Sequence, residues 1–477
     1  MSVKRKRAAT CIKKTASSTS TKKSTSICTT TSTKKTTTTS STSTKKTTTT
    51  TKAASTSTKK TTTTSSTKTT ATAAVTSVAA STGPMIMGGY WPSWAEMTPE
   101  DIDWNLFDLM AFAFATPTTS GGVSIDSGDA ALLKRLVTAG HNGGAKVIVS
   151  LGGWDNGQGF SPSVSTATLR QTFATSILNF MNTYNLDGVD LDWEYPNSAY
   201  ATNYNSADAA NFQTFLQTLR ATLGADAIIT AAVSDETWIS STGGTVSNVA
   251  RAAGALSYIM IMNYDVWGES STPGPNAPLA DLCGNSTQPS ANAEAAVKQW
   301  YAAGMPKKKM LLGVPYYGYV QASTKTSLIQ RSLLDEPETE AQRRAVQNRA
   351  LGGRPRRSDD PRLAQPESEL EKRKTSLTTG QMNFNEIFAN GAIKRGTGSS
   401  TGTYVAGSGW TKYWDDCSDT PFLSSGNQVI TYDDPASLYD KAYFARQSGL
   451  GGTSMWSVDG DTEYWNLTLA MRSGMGI

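Results

Sequence analysis

The sequence predicts an α/β fold, a (β/α)8 TIM barrel with a small insertion lobe between strands seven and eight and a disordered N-terminal tail. Three observations carry that expectation. Eight short β-type runs recur through the body, helix-length amphipathic or Ala-rich stretches separate most of them, and the first 82 residues are almost entirely Thr, Ser, Lys and Ala.

The tail, 1–82, holds 16 Lys or Arg and no acid; the first acidic residue is Glu96. It repeats Thr-Lys-Lys-Thr-Thr-Thr-Thr with small variations at 33–39, 44–51 and 58–64. Without aromatics and with few large aliphatics, it cannot bury enough surface to offset chain entropy, so a disordered, O-glycosylated stalk or linker is expected. Lys4-Arg5-Lys6-Arg7 also has the form of a nuclear-targeting motif, although so short a motif is weak.

Beyond the tail, 28 basic residues face 39 acidic ones, so the overall charge of +5 averages a basic tail and an acidic body. The body lacks the basic face that phosphate binding needs, which argues against a nucleic-acid partner. No apolar run reaches the roughly 18–20 residues that cross a bilayer. His141 is the single histidine, which excludes a multi-histidine metal site and disfavours a Ser-His-Asp triad. Neither metal nor cofactor is expected, and the chain is expected to act as a monomer.

The body, 84–477, is read as one catalytic barrel. Its β-type runs fall at 85–91, 109–115, 146–151, 188–194, 227–233, 258–263, 310–316 and 452–456. Helical stretches fall at 130–140, 168–184, 208–223 and 292–303, with Asp208 and Asn292 as N-cap residue types for the last two. Alternation alone also fits an open, doubly wound sheet. About 130 residues separate the seventh run from the eighth. Within them, 322–375 carries 12 basic and 9 acidic residues and no aromatic, as a solvated helical or disordered insert would, with 336–349 its best helical stretch. The following part, 381–435, contains Phe384, Tyr404, Trp410, Trp414 and Tyr432 and suits a small lobe.

The most informative stretch is Asp187-Gly188-Val189-Asp190-Leu191-Asp192-Trp193-Glu194-Tyr195-Pro196. Strand side chains alternate, so Asp190, Asp192 and Glu194 share one face and Val189, Leu191 and Trp193 the other. Acids at this spacing also suit an exposed edge strand or a divalent-cation site. An exposed strand, however, has no reason to place Val, Leu and Trp between them. Three stacked carboxyls repel if all are ionised, so at least one holds a proton at neutral pH. A protonated acid at the strand's C-terminal mouth can donate to a glycosidic oxygen, and a neighbouring carboxylate can stabilise positive charge. The acids share one strand instead of flanking a sugar. The nucleophile is therefore expected to be the substrate's own acetamido oxygen.

Here the chain resembles family 18 glycoside hydrolases, the chitinases, over roughly 85–320 and 381–465. The acidic signature matches at every expected acid. The resemblance implies Glu194 as general acid/base, Asp192 as the residue that stabilises an oxazolinium intermediate, Asp190 as its proton-sharing neighbour and Asp187 as structural. Ser150-Leu151-Gly152-Gly153-Trp154 resembles the third-strand motif, and Met262-Asn263-Tyr264-Asp265 the sixth-strand one. Tyr264 would hold the acetamido carbonyl, and Asp265 would contact the distorted sugar. Gly313-Val314-Pro315-Tyr316-Tyr317-Gly318 resembles the seventh strand, and 451–461 the eighth, with Trp456 as the floor beneath the cleaved sugar. Tyr90 and Phe114 would be pocket walls, and Gly153, Trp154, Met262 and Tyr317 complete the implied substrate-binding set. Tyr432-Asp433-Asp434 resembles an element before the last helix. Two features depart from the family pattern: Tyr319 stands where many members carry Arg, and the 322–375 insert has no counterpart.

The implied activity is retaining hydrolysis of β-1,4 bonds in chitin or chitooligosaccharides. An endo-β-N-acetylglucosaminidase acting on N-glycans and a weakly catalytic, chitin-binding lectin-like protein are the alternatives. Trp91, Trp94, Trp154, Trp267 and Trp456 all lie at or just past strand C-termini, the face where barrel enzymes build their sites. An extracellular location follows from that substrate and from the sequons at Asn285 and Asn466, although no apolar signal region is visible. Cys283 and Cys417, both in polar loop-like sequence, stand either as free thiols or, in an oxidising compartment, as a disulfide.

Overall fold

A computed structural model of the protein describes residues 84–198, 203–328, 377–397 and 403–477. The tail expected over 1–82 and most of the charged insert, with its helical stretch at 336–349, lie outside the described residues.

Eight parallel strands form the barrel. They are β1 (Ile86–Pro92), β2 (Leu109–Pro117), β3 (Lys146–Gly152), β4 (Gly188–Asp192), β5 (Ile228–Val233), β6 (Tyr258–Ile261), β7 (Met310–Pro315) and β8 (Gly452–Trp456). Each pairs with its sequence neighbours, and β1 pairs with both β2 and β8, which closes the sheet and disposes of the open-sheet alternative. Strands buried on both faces read as near-continuous apolar runs, as in Val147-Ile148-Val149 and Ile228-Ile229. Outward side chains such as Val149, Val189, Leu191 and Trp193 join one large core with the surrounding helices, whereas Tyr90, Ala111, Ile148, Met260 and Leu311 pack inside the barrel.

The helices between strands are fixed by local chemistry at their ends. Asp126, Thr166 and Asn292 accept backbone N–H bonds from Gly128, Leu169 and Ala295. Asn185, at φ 57, ends the helix Ala167–Tyr184 in the left-handed conformation. Asp208 is not an N-cap: it is the first residue inside its helix, Ala207 occupies the cap position, and its buried carboxylate accepts the N–H groups of Asn205 and Asn197 and the Ser161 hydroxyl. That carboxylate latches the loop after β4 instead of capping the helix beside it.

A five-stranded antiparallel sheet lies between β7 and β8, in the order Gly380–Asn383, Tyr317–Ala322, Gln428–Thr431, Thr420–Ser424, Thr411–Asp415. It starts earlier than the sequence suggests, because Tyr317–Ala322 leaves β7 after a single residue. Leu328, inside the stretch read as insert, is buried against Phe422 and Val429. Cys283 and Cys417 form a disulfide that ties the loop after β6 to this lobe. Of the two sequons, Asn466 is buried and accepts the Tyr404 hydroxyl at 2.7 Å, so it is no acceptor for a glycan in the folded chain.

Candidate active site

The acids of β4 meet different surroundings along one face. Asp190 is fully buried among hydroxyl donors: Thr230 bonds Oδ1 at 2.6 Å, while Ser150 at 2.7 Å and Tyr90 at 3.0 Å bond Oδ2. Strand register explains the first two, since Ser150 and Thr230 lie directly beside Asp190 on β3 and β5. Burial raises the Asp190 pKa, and the three hydroxyls oppose that shift.

Asp192, one step nearer the mouth, has no such donors. Its Oδ1 is buried and unpartnered among the described residues. Burial pushes its pKa well above the ordinary carboxylate range, and the charges of Glu194 and Asp190 push it further. β3 reaches this point through glycine of necessity: a Cβ on Gly152 would lie 2.3 Å from the Asp192 carbonyl oxygen.

Glu194 lies two residues past the end of β4, at the C-terminal mouth of the barrel, and its peptide bond to Tyr195 is cis. Burial raises it to about 7; hydrogen bonding by Tyr195 opposes this, and the charges of Asp265 and Asp155 add to it. A carboxyl titrating there can hold and release a proton near neutral pH. Trp193, between the acids, points outward and stacks on Phe160 at 5.2 Å.

The loop after β6 brings in Tyr264 and Asp265. The Tyr264 phenol is kept neutral by burial first, then by Asp192, Asp265 and Glu194. Asp265 accepts the hydroxyls of Tyr317 and Tyr319 on one oxygen. Tyr317 itself is buried and reaches the site through Asp265. The backbone N–H of Met262 is tied to Val233 O, and its side chain is half-buried.

Aromatic rings complete the mouth. Trp456, half-buried, stacks on Phe114 with centroids 5.6 Å apart and meets Tyr90 at 5.4 Å and Trp94 at 6.3 Å. Gly153, at φ 79, passes so close to the Phe114 ring that a Cβ would lie 2.8 Å from it. Trp94 and Trp154 are 64% and 61% exposed, free to take the apolar face of a ligand. Trp91 is not part of this set: it is fully buried and packs on Phe112. Trp267 lies against Gly274. Asp187 is at the far end of β4, bonded to His141, Lys146 and the Val147 N–H; burial raises its pKa, but these partners outweigh it and hold it low.

Thr230 and Asp155 lie in none of the motifs, and Ser150, although it opens the third-strand motif, carries no mark there of its bond to Asp190. Thr230 did leave a signal, a lone hydroxyl in the apolar run Ile228–Val233. Its meaning appears only once the register sets it beside Asp190. Among the described residues no group of histidines, cysteines and acids is arranged to hold a metal ion.

A closed (β/α)8 barrel with a row of acids ending at its C-terminal mouth is the architecture of a barrel hydrolase. The sequence profile described as "Glycosyl hydrolases family 18" matches residues 86–461, and the chain belongs to that family. It is 31% identical over 416 residues to a chitinase-like effector of Moniliophthora roreri, covering 84% of this chain and 95% of that one. It is 27% identical over 385 residues to chitotriosidase-1 of Mus musculus, covering 76% of this chain and 69% of that one. The crystal structure of a chitinase from Rhizomucor miehei superposes with a TM-score of 0.63 at 29% identity, covering 82% of this chain and all of that one.

Proposed function

We propose that the protein is a chitinase that cleaves β-1,4 bonds of N-acetylglucosamine polymers with retention, Glu194 serving as general acid and then general base. The observation that carries this reading is the gradient along one strand face. Asp190 is saturated by hydroxyl donors, Asp192 is buried with an oxygen unpartnered among the described residues, and burial raises Glu194 at the mouth to about 7. In this mechanism Glu194 protonates the departing glycosidic oxygen. The acetamido oxygen of the sugar attacks its own anomeric carbon, Asp192 stabilises the oxazolinium that forms, and Tyr264 orients the acetamido carbonyl. The aromatic floor at Trp456 carries the sugar face. The Cys283–Cys417 disulfide supports an oxidising, extracellular setting.

Glu194→Gln tests the assignment. With a chromogenic chitooligosaccharide, the variant should fold normally and lose turnover by about 10²-fold or more, the usual contribution of a positioned proton donor. Near-wild-type turnover would remove Glu194 from the role, and a product of inverted anomeric configuration would rule out the acetamido route. A high-mannose glycoprotein assayed in parallel separates chitin cleavage from N-glycan cleavage. A relative named a chitinase-like effector favours one second reading, capture of chitooligosaccharides without hydrolysis. Binding by the wild type with no turnover would select it.

A further inference from the structure

Asp265 is held on several sides. Its backbone adopts φ 58, in the left-handed region, and its N–H donates to Asn276 Oδ1 at 2.9 Å. Its Oδ1 accepts the Tyr317 hydroxyl at 2.6 Å and the Tyr319 hydroxyl at 2.7 Å. Two short bonds to one oxygen fix a carboxylate that would otherwise rotate in solvent. The two tyrosines stand two apart on Tyr317–Ala322, so they share a face of that strand, and their rings meet edge to face at 5.9 Å. Register holds Tyr319 in place, with Gln381 opposite on one side and Thr431 on the other.

The chemistry of the outer donor matters. A phenol gives a hydrogen bond without charge, whereas a guanidinium gives both. The two phenols therefore bring no cation to Asp265, whose carboxyl acts on Glu194 in the same direction as Asp155 and as burial. Among the described residues, the titratable groups that act on this cluster of acids are carboxyls and phenols. Asp190, Asp192 and Tyr195 come from β4 and its end, Asp155 from the loop after β3, Tyr264 and Asp265 from the loop after β6, and Tyr90 from β1.

We propose that Tyr319 is a positioning residue for the acid-base step: with Tyr317 it clamps one oxygen of Asp265 without neutralising it, so that an oriented, uncompensated anion stands beside Glu194. The proposal rests on the hydrolase reading above and adds the part that a residue of the lobe plays in it. Tyr319 touches none of the reacting atoms; it acts through Asp265.

Two variants of the full chain test it, assayed on a chitin hexamer across pH. Tyr319→Arg keeps a donor on Asp265 but adds a cation, and should move the alkaline limb of kcat down by about one pH unit. Tyr319→Phe removes the donor without changing charge. It should raise KM about fivefold, the size of one lost hydrogen bond, and leave the limb in place. A purely structural role would lower stability in both variants and shift neither limb. An unmoved limb in the Arg variant overturns the uncompensated anion, and a wild-type KM in the Phe variant overturns the clamp. The 13C carboxyl titration of Glu194, identified by its loss in Glu194→Gln, reads the same shift without turnover. A wild type that binds but never cleaves would therefore defeat the hydrolase reading and still leave the Tyr319 assignment to be decided by the titration.

Discussion

Neighbouring carboxyls two residues apart on one strand are given different surroundings by their partners. Asp190 is fixed by Ser150, Thr230 and Tyr90 and can do little but share a proton, whereas Asp192 keeps a buried oxygen uncommitted. A carboxyl so placed has the freedom to turn toward an acetamido N–H, and its charge is worth most where water is excluded. Asp192→Asn preserves the shape and removes the ability to become an anion when positive charge develops on the sugar. Its kcat should fall by about 10²-fold or more while KM changes far less, because the interaction belongs to the intermediate. Steady-state kinetics on a soluble chitooligosaccharide give the comparison. A loss confined to KM would make Asp192 a ground-state contact and nothing more.

At the scale of elements, the barrel lends the strand its precision and the lobe supplies a wall, and the disulfide joins the two. Leu279 and Leu282 donate backbone bonds to Ser418 and Cys417, so the loop after β6 meets the lobe as a continuous seam around the Cys283–Cys417 bridge. The bridge closes a sequence separation of 134 residues. Cys283→Ser should lower unfolding stability by about 2–4 kcal/mol, measured by denaturant titration in non-reducing buffer, and reducing agent should bring the wild type to the variant. Coincident transitions without reductant would show that the seam holds without the bond. Most of this architecture was legible in the chain. The eight barrel strands lie within two residues of the apolar runs, because strands buried on both faces leave an unbroken apolar record. The acids and the glycines at Gly152 and Gly153 were legible for the same reason, since close approach and stacked charge tolerate few substitutes. Partners set by tertiary register were not. Nothing local marks Ser150 as a donor to Asp190, Asp208 as a loop latch or Asn466 as a buried acceptor. Tyr317–Ala322 was hidden because a single residue, Tyr316, separates it from β7, so that the two adjacent tyrosines read as the end of the strand before it.

The whole molecule carries the cost of burying acids, and that cost has a pH signature. Asp461 is raised to about 6, Glu194 to about 7 and Asp235 to about 8, in each case chiefly by burial. The unfolded chain releases these protons near pH 4, whereas the folded chain holds them two to four units longer. Their folded pKa values lie above the unfolded ones. The stability linked to them is therefore complete below about pH 4 and is lost as pH rises through 6, 7 and 8 in turn. Each group contributes a slope of about 1.4 kcal/mol per pH unit while it is protonated only in the fold. Asp187 works in the opposite sense, since its lowered pKa removes stability only as pH falls below the ordinary carboxylate value. Thermal melts should accordingly show a maximum near pH 4 and a decline toward pH 8 that is steepest below pH 6, where all three groups are protonated only in the fold. Asp235, whose Oδ1 has no partner among the described residues, offers the cleanest test, because it lies outside the row of acids on β4. Asp235→Asn mimics the protonated form and deletes one titration, so its decline between pH 4 and 8 should be shallower than the wild type's. Parallel curves for the two proteins would mean that Asp235 is ionised in the fold and that burial alone does not set its proton.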